Sequence, residues 1–185
     1  MRVPFVAGNW KMNRNVSEAR RLVAELAPGL QGIHQVERVL CPPFIDLLAV
    51  AAMLEGTDIG LGAQNMHWEQ SGAFTGEISP VMLAELCKYV IIGHSERRAY
   101  FGETDQTVNR KVKAAFANNL IPIVCVGETL DEYENGMTAQ VVSRQMHLGL
   151  AEIDDQVKEK GAAGLVIAYE PVWAIGTGKA SSPEG

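Results

Sequence analysis

Cysteine is scarce in this 185-residue sequence, and its three copies lie far apart. Cys41, Cys87 and Cys125 each stand in apolar surroundings, and no two of them form a C-x-x-C motif. This pattern is not typical of a disulfide framework or of a zinc site. We therefore expect buried, reduced thiols, a cytoplasmic protein and no bound metal.

The sequence also lacks an excess of positive charge and any long run of like charge. Its 16 Lys and Arg residues oppose 22 Asp and Glu residues, which gives a formal net charge of −6. We therefore expect neither a nucleic-acid surface nor an anionic-membrane surface. An anionic substrate can still be bound by individual lysines and by backbone N–H groups.

Long hydrophobic runs are absent as well. No stretch approaches the roughly 20 apolar residues that a membrane-spanning helix needs, and the apolar run after Arg2 is too short for a signal peptide. The overall composition, 47% hydrophobic and 21% charged, is typical of a globular protein.

Short apolar runs alternate instead with longer amphipathic segments. The short runs predict strands at 3–7, 36–41, 59–63, 89–92, 121–126 and 165–169. The last of them is so uniformly apolar that we expect burial on both faces. Helices are predicted at 16–26, with Pro28 and Gly29 as its end, at 47–54, from Ser79-Pro80, from Thr104-Asp105, and around Val142, Met146, Leu150 and Ile153.

This alternation predicts a parallel α/β sheet, either open and doubly wound or closed into a barrel. The first strand leads into Gly8-Asn9-Trp10-Lys11 and not into a G-x-G-x-x-G turn, which disfavours the dinucleotide-binding fold. Polar residues recur just past the strand ends, as expected at a barrel mouth: Asn9, Lys11, Gln64, Asn65, His94, Glu96, Glu128 and Glu170. Because a closed barrel needs eight units, we expect one barrel domain over residues 1–185 that is incomplete at its C-terminus.

Glu170 is the most informative of these residues. It follows the strand predicted at 165–169 and precedes Pro171. Side chains at strand carboxyl ends line the active-site face of such barrels, so the position favours chemistry. A surface glutamate before a turn is the alternative.

Four segments together resemble the triosephosphate isomerases. They are AGNWK at 7–11, AFTGE at 73–77, IIGHSERR at 91–98 and YEPVWAIGTGK at 169–179. The resemblance extends along the whole sequence and implies a (β/α)8 TIM barrel, of which about six βα units are present. It also implies interconversion of dihydroxyacetone phosphate and D-glyceraldehyde 3-phosphate through an enediol(ate), in glycolysis and gluconeogenesis, without a cofactor.

The same resemblance assigns roles to individual residues. Glu170 is the expected general base, whose basicity rises in a site that can be dried, and His94 is the expected electrophile, with a neutral imidazole. Lys11, together with Asn9, is expected to bind substrate and to stabilise the enediolate. Ser95, Glu96 and Cys125 are expected to support the site. Glu96 could alternatively handle a proton.

Two segments are expected to move or to reach a partner. Residues Pro171, Val172, Trp173, Ala174, Ile175, Gly176, Thr177, Gly178 and Lys179 resemble a closing lid, in which Gly176 binds the phosphate. The long polar loop 64–79 resembles one that reaches into a second subunit of a homodimer, where Thr75 would support the partner's Lys11 and the partner's His94.

Two alternatives remain open at this point. One is a barrel aldolase that uses Lys11 as a Schiff-base nucleophile. The other is an inactive fragment, because the glycine-rich phosphate loops of the family's last two strands have no counterpart in the sequence.

Overall fold

The computed structural model describes residues 3–161 and 164–175, and strands alternate with helices through most of them. The strands are β1 (Phe5–Asn9), β2 (Glu37–Cys41), β3 (Gly60–Ala63), β4 (Tyr89–Ile92), β5 (Ile121–Val126) and β6 (Val166–Tyr169). The helices are α1 (Val16–Leu30), α2 (Leu47–Leu54), α3 (Pro80–Ala84), α4 (Ser95–Tyr100), α5 (Asp105–Ala117), α6 (Leu130–Glu134), α7 (Thr138–Gly149) and α8 (Asp154–Lys160). Short 3-10 turns cover Phe44–Asp46 and Val172–Ala174.

The chain forms two compact units, and the first comprises residues 3–91 and 114–122. In this unit each strand pairs in parallel with the next one in the sequence, as in Phe5 with Glu37, and Leu40 with Leu61. Apolar side chains of α1, α2, the strands and the loop after β3 form its core: Ala19, Val23, Val39, Val50, Met66 and Val90. Parallel pairing in sequence order brings the carboxyl ends of these strands to one edge.

The second unit comprises residues 92–113 and the described residues from 123 onward. Its strands β5 and β6 pair in parallel, from Ile123 opposite Val166 to Val126 opposite Tyr169. Its core contains Ile92, Val108, Val112, Val124 and Val141. The register places the segment after Val126 beside the segment that carries Glu170.

Strand β6 is not buried on both faces, as its apolar sequence suggests. Ile167 is 40% exposed and Tyr169 is 46% exposed. An apolar run makes a strand compatible with burial, but only layers packed on both of its faces achieve that burial.

Helix α1 continues through Pro28 to Leu30, so the predicted end at Pro28 and Gly29 is wrong. Proline lacks an N–H, so Pro28 cannot donate to the carbonyl of Ala24, and the last turn of α1 forms without that bond. The helix is closed by the N–H of Gln31, which donates to the carbonyl of Ala27 over 2.9 Å.

The apolar residues that predict α7, among them Val142 and Met146, do not form its buried face. Val142 and Met146 are half-buried, whereas the buried positions are Val141, Gln145 and Gly149. The buried face lies one residue earlier along the helix. Apolar spacing does not predict it, because two of its three residues are a glutamine and a glycine. Ile153 is buried but lies between α7 and α8.

The single barrel domain expected from the sequence stays a prediction. Within residues 3–161 and 164–175, no helix is both long enough and apolar enough to cross a membrane.

Asn15→Ala should destabilise α1 through its first turn. Oδ1 of Asn15 accepts from the N–H groups of Ser17 and Glu18 at 3.1 Å each, and Glu18 accepts from the Asn15 N–H in return. We expect the free energy of unfolding, measured by urea denaturation, to fall by about 1 kcal/mol. Ser17→Ala in the same exposed turn is the control and should cost less than about 0.5 kcal/mol. Equal losses in the two variants would contradict the capping role.

Candidate active site

His94 lies in the turn between β4 and α4. Gly93 before it has φ +73°, and a Cβ at that position would lie 2.8 Å from Cγ2 of Val108, so the turn requires glycine. His94 is then the N-cap residue of α4 and is 7% exposed. The ring is therefore buried at the start of a short helix.

The hydrogen bonds of His94 define its tautomer. The backbone N–H of Glu96 donates to Nδ1 over 3.2 Å, so in the neutral ring the proton belongs on Nε2. Nε2 lies 3.0 Å from Oε1 of Glu170 and can donate to it. The carboxylate of Glu96 is 3.6 Å from Nδ1, which is beyond hydrogen-bond distance. His94 thus presents a neutral N–H donor toward the carboxylate.

Glu170 is held through both its backbone and its side chain. Its N–H donates to the carbonyl of Val126 over 2.7 Å, which continues the pairing of β5 with β6. Its Oε2 accepts from the backbone N–H of Ser95 over 3.0 Å. The carboxylate is largely buried, with the side chain 17% exposed.

The pKa of Glu170 lies below its ordinary value in this arrangement. Burial raises it, but the hydrogen bonds from His94 and from the Ser95 N–H, with the charge of His94 whenever its ring is protonated, outweigh burial. The carboxylate is hydrogen-bonded as an anion here, and the rise in basicity expected in a dried site stays a prediction.

Two charged side chains bind the backbone of Gly93, the residue before His94. Oε2 of Glu103, which is 8% exposed, accepts from the N–H of Gly93 over 3.0 Å. Nε of Arg98 donates to the carbonyl of Gly93 over 2.9 Å. Glu103 also pairs with Arg97 and Lys111. The sequence does not predict this network, because charges after a histidine resemble an ordinary solvated helix face.

Cys125 on β5 lies close to this carboxylate. The thiol is 3% exposed, and burial, followed by the negative charge of Glu170, raises its pKa far above the usual range. A thiol that stays protonated is a poor nucleophile. A cavity of about 390 Å³ is lined by Cys125, Glu170, Ser95 and Arg98 among other residues. This volume is within the range of sites for small molecules, roughly 300–1,000 Å³.

The first part of the predicted lid is attached to Glu128. This side chain is fully buried and accepts from the hydroxyl of Tyr169 over 3.0 Å and from Nε1 of Trp173 over 2.9 Å. The Trp173 ring stacks on Tyr133 with 4.4 Å between centroids. Pro171, Val172, Ala174 and Ile175 are described and half-buried, whereas Gly176, Thr177, Gly178 and Lys179 lie outside the described residues. Sequence analysis noted Glu128 past a strand end but assigned it no role.

Lys11, in the first unit, has an unusual backbone conformation. Its φ is +54°, a left-handed value that is uncommon outside glycine. Its N–H donates to Oδ1 of Asn9 over 2.9 Å, and its carbonyl accepts from Nε2 of Gln64 over 3.0 Å. Strained backbone of this kind persists where neighbours hold it, and it concentrates at functional sites.

Thr75 lies exposed in a turn of loop 64–79. The loop packs on itself, since the ring of His67 stacks on Trp68 with 4.2 Å between centroids and lies 4.4 Å from that of Phe74. These ring contacts make the loop compact. The sequence assigns His67 no role and does not predict them.

The predicted site residues are thus divided between the two units. His94, Ser95, Glu170 and Cys125 come together in the second unit, whereas Asn9, Lys11 and Thr75 belong to the first. In the described part of the chain, no group of three or more His, Cys, Asp or Glu side chains could hold a metal ion.

Comparison with known proteins supports the resemblance to the triosephosphate isomerases. A family model described as triosephosphate isomerase matches residues 4–185. Triosephosphate isomerases of Clostridium tetani and Carboxydothermus hydrogenoformans are 58% and 56% identical over all 185 residues, which span 71% and 72% of those proteins.

A solved structure agrees with these relatives. The crystal structure of triosephosphate isomerase from Bartonella henselae matches with a TM-score of 0.84 and 40% identity, over 92% of this chain and 69% of that chain. It confirms the α/β parallel TIM barrel, with about six βα units, that the sequence predicts. The match over almost every residue, together with relatives that are more than half identical, shows that the chain belongs to the triosephosphate isomerase family.

Proposed function

We propose that this chain interconverts dihydroxyacetone phosphate and D-glyceraldehyde 3-phosphate by proton transfer through an enediol(ate), as an aldose-ketose isomerase of glycolysis and gluconeogenesis. Family membership supports an isomerase over the aldolase alternative. The observation that carries the proposal is the 3.0 Å approach of His94 Nε2 to the Glu170 carboxylate, with Nδ1 already occupied by the Glu96 N–H. The pair combines a base with a neutral hydrogen-bond donor.

Glu170 is the general base that moves a proton between adjacent carbons. Its lowered pKa keeps it ionised at neutral pH, so it is ready to accept a proton. When the substrate is enclosed and water is excluded, Glu170 gives up its hydrogen bonds to His94 and Ser95. The interactions that lower its pKa are then lost, whereas the burial that raises its pKa remains. The carboxylate therefore becomes a stronger base when the substrate is enclosed.

His94 is the electrophile. Its Nε2–H donates to the substrate oxygens, and a neutral donor stabilises the enediolate without first losing a proton. The bond that Nδ1 accepts from the Glu96 N–H supports this form, because it leaves the ring proton on Nε2.

Lys11 and Asn9 bind the substrate. The ammonium group of Lys11 attracts the phosphate and stabilises negative charge on the enediolate. The bonds of Asn9 and Gln64 to the Lys11 backbone support a fixed position for this lysine. Ser95, Glu96 and Cys125 have supporting roles, and Ser95 does so through its N–H to Glu170.

The segment Pro171–Lys179 is the lid over the substrate. Its bond from Trp173 to the buried Glu128 supports a lid with a defined resting position. Trp173 and Ile175 exclude water, and Gly176 provides an N–H to the phosphate. Enclosure is needed because a free enediol phosphate would lose its phosphate.

The active form is a homodimer. Thr75 lies exposed in the turn of a loop that is braced by His67 and Phe74, and the Phe74 ring is itself 44% exposed. A preformed, partly apolar loop of this kind loses little entropy on binding, so it is well suited to dock on a second subunit. The partner's Lys11 and the partner's His94 are the residues that it supports.

The protein acts in the cytoplasm. Burial raises the pKa of the Cys41 and Cys87 thiols to about 12, which supports inert, reduced cysteines.

Glu170→Asp tests the general base in the protein expressed from its full reading frame. Shortening the side chain by one methylene draws the carboxylate back by about 1 Å, which should lower kcat about 100-fold. KM should change by less than about twofold, since the reacting carbon is contacted mainly in the transition state. Glu134→Asp, at an exposed position of α6, is the control and should have wild-type kcat in a coupled assay. Wild-type turnover in Glu170→Asp would rule out this base.

The ionised Glu170 should make stability depend on acid pH. Because its folded pKa is lowered, its contribution is present above the ordinary glutamate pKa and is lost as pH falls through the folded value. Glu170→Gln removes this titration, so its free energy of unfolding should fall less between neutral pH and about pH 3 than that of the wild type. Urea denaturation at four pH values measures this. Identical pH dependence in the two proteins would contradict the lowered pKa.

Thr75→Glu tests the dimer. A charge placed in the docking turn should raise the dissociation constant at least about tenfold, equivalent to about 1.4 kcal/mol. Sedimentation velocity over a dilution series, with kcat measured at each concentration, should show dissociation and lost activity together. Ser143→Glu, at an exposed position of α7, should leave both unchanged. A stable, active Thr75→Glu dimer would remove Thr75 from the interface.

A further inference from the structure

Gln145 is a polar residue on the buried face of α7. It is 5% exposed and lies between Val141 and Gly149 on that face. Both ends of its amide bond to one residue: Oε1 accepts from the N–H of Gly127 over 2.8 Å, and Nε2 donates to the carbonyl of Gly127 over 3.1 Å. A buried amide satisfied in this way fixes its partner's backbone and not merely its own side chain.

Gly127 lies directly against the backbone of Glu170. A Cβ at position 127 would be only 1.8 Å from the carbonyl oxygen of Glu170, so no side chain fits there. The flanking residues hold the same segment, since Val126 accepts from the Glu170 N–H over 2.7 Å and Glu128 accepts from the Val172 N–H over 3.2 Å. The two segments therefore lie too close together at Gly127 for any side chain to fit between them.

One planar peptide group joins Gln145 to Glu170. The N–H of Gly127 and the carbonyl of Val126 belong to the same peptide, and they point in opposite directions. At one edge of this peptide, the N–H of Gly127 donates to Oε1 of Gln145. At the opposite edge, the carbonyl of Val126 accepts from the N–H of Glu170. Rotation of the peptide would lengthen both bonds, so the glutamine sets where the Glu170 backbone is anchored.

We propose that Gln145 is a positioning residue for Glu170, acting through the Val126–Gly127 peptide. The inference rests on the proposed role of Glu170 as the general base. The hydrogen bonds of Gln145 go to Gly127, so it holds the backbone beside the segment from which the Glu170 side chain reaches His94 and Ser95.

The test uses Gln145→Met, which keeps the length of the side chain and removes both hydrogen bonds. In the protein expressed from its full reading frame, we expect kcat to fall about tenfold with KM within about twofold, because the base is displaced by a fraction of 1 Å. The acid limb of the pH profile of kcat/KM should move to higher pH, since a displaced carboxylate loses the bonds that lower its pKa. Gln140→Met, at an exposed position of the same helix, should match the wild type.

Gln145→Glu separates positioning from packing. Its carboxylate still accepts from the Gly127 N–H, so positioning predicts a higher kcat than in Gln145→Met. If the residue only fills space, the apolar Met variant should equal or exceed the Glu variant, which buries a charge. That order, or wild-type kcat and acid limb in folded Gln145→Met, would overturn the proposal.

Circular dichroism establishes folding before these measurements. If Gln145→Met does not reach a native spectrum, Gln145→Leu, which also removes both hydrogen bonds, replaces it: a lower kcat at unchanged KM supports positioning, and wild-type kcat overturns it. Glu170→Asp is assayed in parallel. Wild-type kcat there rejects the base itself, whereas a low kcat there beside wild-type Gln145→Met rejects only the positioning role.

Discussion

The backbone N–H of Glu96 donates to Nδ1 of His94, and the chemistry of the site depends on this hydrogen bond. It places the ring proton on Nε2, which faces Oε1 of Glu170 at 3.0 Å. Without it, either nitrogen could carry the proton, and the ring would have no fixed donor. The bond exists because Gly93 permits a left-handed turn that makes His94 the N-cap of α4.

Buried charge maintains that turn. Glu103 holds the N–H of Gly93 while pairing with Arg97 and Lys111, and Arg98 holds the carbonyl of Gly93. Removing one member of a buried pair leaves an uncompensated charge, which makes such networks costly to disturb. The turn is therefore held by the bonds of Glu103 and Arg98 to Gly93, not by His94 or Glu170.

Much of the architecture could be predicted because it depends on local pattern. β4 and β5 begin and end where their apolar runs do, and the Ser79-Pro80 signal does begin α3, with Ser79 accepting from the Met82 N–H. The errors have different causes. Gln145 lies in a core because packing between elements outweighed its local preference. Pro28 lies exposed in the last turn of α1, where a local stop signal did not end the helix.

The order of residues along the chain was enough to indicate a parallel barrel, a carboxylate at a strand end and the motif around His94. The last two depend on neighbouring residues, and the barrel depends on the alternation of short local patterns. The partners of those residues were decided by tertiary structure. The Ser95 N–H meets Glu170 across 75 positions of sequence, and Gln145 meets Gly127 across 18. Such contacts depend on strand register and on helix orientation, and no short-range pattern specifies either one. The lowered pKa of Glu170 has the same origin, because it comes from donors that only the folded chain brings to the carboxylate.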